Sequence, residues 1–113
     1  MPEALAGERN PKGGNSMIRH VVMFTWRPEA TAEQKQRVLT ELRTLPPLMA
    51  GLREYHAGPD AGLVSGNFDF AVVADFEDTD SYLAYRDHPA HRAVIDERIR
   101  PIMASRAAVQ YEI

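Results

Sequence analysis

Cysteine is absent from the chain. Its absence excludes disulfides, zinc–thiolate sites and cysteine nucleophiles. No apolar run approaches the ~20 residues that span a bilayer. The N-terminus also lacks the basic-then-apolar layout of a secretory signal. No membrane is expected as a partner, and the cytoplasm is the expected location. The net charge is −3 and Lys and Arg form no block, so nucleic acid is not expected as a partner either. No glycine-rich phosphate loop follows a strand; Gly13 and Gly14 stand isolated near the N-terminus. No serine sits in a nucleophile-elbow pattern. Nucleotide-dependent chemistry and serine hydrolysis are thereby disfavoured, and there is no internal repeat or low-complexity tract.

What is present suits one globular domain. A body of roughly 95 residues buries about 60% of its unfolded surface, enough for one core and not two. Residues 1–16 contain Pro2, Gly7, Pro11, Gly13 and Gly14 with few large apolar side chains. Such a stretch cannot offset its ordering entropy. It is expected to be a flexible extension, with the domain spanning residues 17–113.

Arg19 to Arg27 is rich in β-formers, and both of its faces carry apolar residues. Thr31-Ala32-Glu33-Gln34 matches a capping box. The helix it opens carries Val38, Leu39, Leu42 and Leu45 on one stripe, up to Pro46-Pro47. Arg53 to Gly58 is a weaker strand, with His56 expected to be exposed. Phe68 to Phe76 alternates clearly, and its Asp69 and Asp75 are expected to be edge or solvent carboxylates. Asp78 or Thr79 caps a helix carrying Tyr82, Leu83 and Tyr85. His88-Pro89 interrupts that helix, and Pro89 opens another. Ala107 to Ile113 closes the chain as a strand. The order β-α-β-β-α-β predicts an α+β fold, ferredoxin-like, with an antiparallel sheet and helices on one face. The other face is left bare. Apolar residues there predict that two sheets pack face to face in a homodimer.

Tyr85-Arg86-Asp87-His88-Pro89-Ala90-His91 concentrates the chemistry. A neutral His91 can accept a proton from carbon flanked by two carbonyls, and a phenol such as Tyr85 can hydrogen-bond the oxygen that gains charge. The residues alone favour instead that His91 caps backbone groups freed by the break at Pro89. His88 is held extended by Pro89 and either bonds across the break or touches a ligand. His88 and His91 at i, i+3 lack the further ligands a metal needs, so no metal is expected. His20, alternating with Val22, Phe24 and Trp26, is either a satisfied core histidine or part of a cavity shared with Tyr85 and His91.

His20-Val21-Val22-Met23-Phe24, Phe76-Glu77-Asp78 and above all Tyr85-x-x-His88-Pro89-Ala90-His91 resemble the stress-responsive A/B barrel (Dabb) family. The resemblance covers about residues 18–113. It implies a ferredoxin-like fold paired into a dimeric α+β barrel. The family includes stress-induced plant proteins and a plant polyketide cyclase that forms a resorcylic acid without metal or organic cofactor. By that resemblance His91 is the base, Tyr85 assists it, and His20 lines the pocket. Phe70 stands where the cyclase has a further pocket histidine, which implies a more apolar pocket here. The expectation is a cofactor-free cyclase or lyase acting on a hydrophobic β-keto small molecule. Its site has His91 and Tyr85 as catalytic residues and His20, Phe70, His88 and Phe24 as lining. The alternatives are a non-catalytic stress-response or ligand-binding protein and a cofactor-independent oxygenase.

Overall fold

The computed structural model describes residues 16–113. The expected extension over residues 1–16 therefore falls, apart from Ser16, outside the described residues. The elements in order are β1 (Ile18–Trp26), α1 (Ala32–Leu42), a 3-10 turn (Pro46–Leu48), β2 (Leu52–Pro59), β3 (Phe70–Phe76), α2 (Thr79–Asp87), α3 (Pro89–Val94), a π turn (Ile95–Ile99) and β4 (Met103–Glu112). The sheet order is β2-β3-β1-β4, and all three pairings are antiparallel. This is the ferredoxin-like α+β arrangement that the element order predicts.

Local chemistry sets the element ends. Gln34 N–H donates to Thr31 Oγ1 at 3.1 Å, and Thr31 N–H donates to Gln34 Oε1 at 2.9 Å. This reciprocal pair opens α1. The helix stops at Leu42 rather than reaching Leu45. Pro46 and Pro47 have no N–H to continue the ladder, and the chain tightens into the 3-10 turn while Leu45 stays in the core. Strand β3 starts at Phe70, two residues later than the pattern suggests. Asp69 is occupied with β1 instead: its Oδ2 accepts from Trp26 N–H at 2.7 Å, and its own N–H donates to the Phe24 carbonyl at 2.8 Å. Strand β4 starts at Met103, well before Ala107, because β1 offers it partners from Trp26 back to Ile18.

The core lies between the helices and one face of the sheet. Val38, Leu42, Leu45 and Phe76 are its largest fully buried side chains. From β1 it takes Val22, Phe24 and Trp26, and from β3 Phe70, Val72 and Phe76. On the opposite face Val21 sits between Val73 and Val109, and Met23 between Ala71 and Ala107. Among the described residues no helix covers that face, and Val109, Tyr111 and Ile113 are about half exposed. Asp75 corrects an expectation. It is buried, and it accepts from Arg19 Nε at 2.7 Å and Nη2 at 2.8 Å. Arg19 and Asp75 are direct partners in the β1–β3 register, which supplies the bidentate cation that a buried carboxylate requires.

Candidate functional site

The break between α2 and α3 is repaired by two histidines. Pro89 has no N–H, and the Ala90 N–H is diverted to His88 Nδ1 at 3.0 Å. His88 thereby caps α3 from an extended backbone conformation (φ −62°, ψ 132°). The Arg86 carbonyl, deprived of its helical donor, accepts instead from His91 Nδ1 at 3.1 Å. A carbonyl can only accept, so His91 carries its proton on Nδ1 and leaves Nε2 as the free acceptor nitrogen when neutral.

Tyr85, one turn before the break, packs its ring on His91 with centroids 4.1 Å apart. Its hydroxyl lies 3.4 Å from the hydroxyl of Tyr55, on β2. His20 projects from the inner face of β1, with its ring 6.0 Å from Tyr85 and 5.1 Å from Tyr82. Gln110 of β4, directly opposite His20 in the ladder, donates its amide nitrogen to His20 Nδ1 at 2.9 Å. The neutral His20 ring therefore carries its proton on Nε2. His20, Tyr82, Tyr85 and His91 line one cleft of about 410 Å³, with Val22, Phe24 and Ile95 among its apolar walls.

Burial controls the protonation of these groups. It pushes His20 down to about 4, and the nearby His91 and Arg106 add to the effect. It also lowers His91, against the opposing influence of the Arg86 carbonyl. Burial raises Tyr85 above the ordinary phenol value, as it does Tyr55 and Tyr82. At neutral pH the cleft thus presents two uncharged imidazoles of opposite tautomer beside protonated phenols. Among the described residues no group of three or more His, Asp or Glu is placed to hold a metal ion.

The structure brings His91, Tyr85, His20 and Phe24 to the cleft and leaves Phe70 and His88 out of it. Phe70 packs with Phe24 and Trp26, at centroid distances of 6.4 and 5.7 Å. The side chain of His88 is engaged as the α3 cap. His56 is exposed beside Glu54. Tyr82, Tyr55, Gln110 and Arg106 are contributors that the sequence reading did not single out. Tyr82 carried a signal, standing three residues before Tyr85 on the same helical face. The other three become visible only through strand register.

Fold and cleft together define a ferredoxin-like α+β protein with a buried pair of imidazoles set among phenols. The chain belongs to the stress-responsive A/B barrel domain family, whose model matches residues 18–113. Among solved structures, it is similar to a dimeric ferredoxin-like protein of unknown function from Thermobifida fusca YX. The two are 40% identical over 100% of both chains, with a TM-score of 0.82. A Dabb family protein from Mesorhizobium loti MAFF303099 shares the fold at 24% identity, over 85% of this chain and 95% of that one, with a TM-score of 0.71. The hydroxynitrile lyase of Passiflora edulis shares it at 17% identity, over 88% of this chain and 94% of that one, with a TM-score of 0.75. No curated protein matches the chain.

Proposed function

We propose that the cleft binds an apolar small molecule and that His91 acts there as the base in cofactor-free carbon–carbon chemistry on a β-keto substrate. The observation that carries this reading is the bond from His91 Nδ1 to the Arg86 carbonyl, which leaves Nε2 unprotonated in a cleft where burial keeps the ring neutral. In the proposed reaction Nε2 takes a proton from the carbon between two carbonyls, and the C–H electron pair moves onto a carbonyl oxygen. The enolate carbon then bonds to a second carbonyl carbon, and the resulting alkoxide takes back the proton from His91. Tyr85 donates a hydrogen bond to the enolate oxygen, its own oxygen accepting from Tyr55, and His20 offers Nε2–H as a further donor. Positioned acid–base groups of this kind contribute roughly 10²–10⁴-fold in rate. Steady-state cyclisation of a panel of poly-β-ketones by wild type and His91→Ala tests the proposal. The variant is expected to lose about 10²-fold or more, and equal rates would remove His91 as base.

The same contact also favours a second reading, because a purely structural histidine would cap the Arg86 carbonyl in this way. A non-catalytic ligand-binding protein predicts no turnover by wild type, and a loss of thermal stability or ligand affinity in His91→Ala.

We propose further that the protein is a homodimer closed across the bare face of the sheet. The half-exposed Val109, Tyr111 and Ile113 support this, as does the description of its 40% identical relative as dimeric.

A further inference from the structure

The lining of the cleft is one-sided in charge. Four arginines, Arg86, Arg92, Arg100 and Arg106, border it, and no Asp or Glu among the described residues does. This is unexpected in a chain with net charge −3. Two of the four are neutralised from outside the cleft. Arg86 holds Asp87 through Nε at 2.9 Å and Nη2 at 3.1 Å, and Arg100 holds Asp96 at 2.9 Å. Arg92 and Arg106 make no ion pair among the described residues. Asp87 lies within electrostatic reach of Arg92, but Arg86 already holds both of its carboxylate oxygens. The two approach from different elements. Arg92 follows His91 on α3, while Arg106 faces Phe24 across the β4–β1 ladder, and both are exposed. The apolar walls and the neutral imidazoles lie deeper than these two guanidinium groups, since Val22, Phe24, His20 and His91 are all buried.

We infer that the cleft takes an amphipathic anion, an apolar chain or ring ending in a carboxylate or phosphate, with the anionic end held at Arg92 and Arg106 and the apolar end directed toward His20 and His91. This names a substrate class for the proposed function and rests on that reading of the cleft. A guanidinium pair suits both headgroups, because each presents two oxygens to a planar donor fork. Anchoring the charged end at the mouth leaves the acidic C–H positions of a keto chain to the neutral base inside, where an unpaired carboxylate or phosphate is costly to bury.

Isothermal titration with octanoate, octyl phosphate and octanamide tests the inference, using the full-length wild-type protein and an Arg92→Gln/Arg106→Gln double variant. Both positions are exposed, so the double variant is expected to keep the wild-type circular dichroism. At least one of the two anions should bind wild type about fivefold or more tighter than octanamide, and the gap should close in the double variant. The tighter anion identifies the headgroup. Octanamide binding as tightly as both anions overturns the anionic class while leaving the cleft as a ligand site. An anion preference that survives the double substitution overturns the assignment to Arg92 and Arg106. Binding of none of the three overturns both this inference and the reading of the cleft on which it rests.

Discussion

A histidine held neutral inside a core reveals itself in acid. His20 titrates near 4 in the fold against an ordinary value of 6.5. Between those values the unfolded chain binds more protons than the folded one, so stability rises with pH. The contribution is complete above about 6.5 and is lost as pH falls toward 4; His91 acts in the same direction. For His20 the loss is on the order of 2 kcal/mol. Urea midpoints at pH 7 and pH 4.5 should therefore fall in wild type and fall distinctly less in His20→Gln; equal falls would remove His20 as the source. Asp75 does not confuse the result. The Arg19 hydrogen bond lowers its pKa, so its contribution is present above the ordinary carboxylate value and disappears only below it. At this scale His20, Tyr85 and His91 were legible because side-chain type and motif spacing mark them. Asp75, Gln110 and Arg106 were not, because their meaning depends on which residue of another strand lies opposite.

Elements meet closely where α2 begins. Gly51 has φ +82°, and a Cβ there would lie 2.1 Å from Ser81 Oγ and 2.6 Å from Ser81 Cβ. The Gly51 carbonyl accepts from Glu77 N–H at 2.8 Å, which fixes the approach. Gly51→Ala therefore meets both a disfavoured backbone conformation and a packed helix turn, and is expected to cost about 2 kcal/mol or more. Gly58, on edge strand β2 with open space around its Cβ position, provides the control: Gly58→Ala should stay within about 0.5 kcal/mol. Denaturant midpoints of the two variants check this, and comparable losses would contradict it. Element order was readable from periodicity and punctuation: alternation in β1 and β3, the capping box of α1, the His88-Pro89 break. Element ends were less so. The early start of β4 has no apolar alternation to announce it: Ser105 and Arg106 pair with Thr25 and Phe24 of β1, and the Ser105 hydroxyl also hydrogen-bonds that of Thr25.

At the scale of the whole molecule, the bare sheet face is the feature that a second copy would cover. Val109→Glu places a charge at the β4 end of the apolar row formed with Val21 and Val73. Burying an unpaired carboxylate across such a contact is unfavourable enough to dissociate it. Sedimentation equilibrium should show a dimer for wild type and a monomer for Val109→Glu. A monomeric wild type would end the homodimer proposal, and a dimeric Val109→Glu would move the contact elsewhere. The helix side of the sheet is unaffected by that substitution, so the cleft and its imidazoles should persist in the monomer.

Strand β4 has an unusual division of labour. It holds His20 through Gln110 and lends Arg106 to the cleft, yet both side chains are exposed and neither belongs to the core. On the proposed reading of the cleft, substitutions at Gln110 and Arg106 change what it accepts while the packing that keeps the protein folded is left alone. If the cleft is a ligand site, its preference can then drift by single steps at these two positions while the scaffold stays as it is.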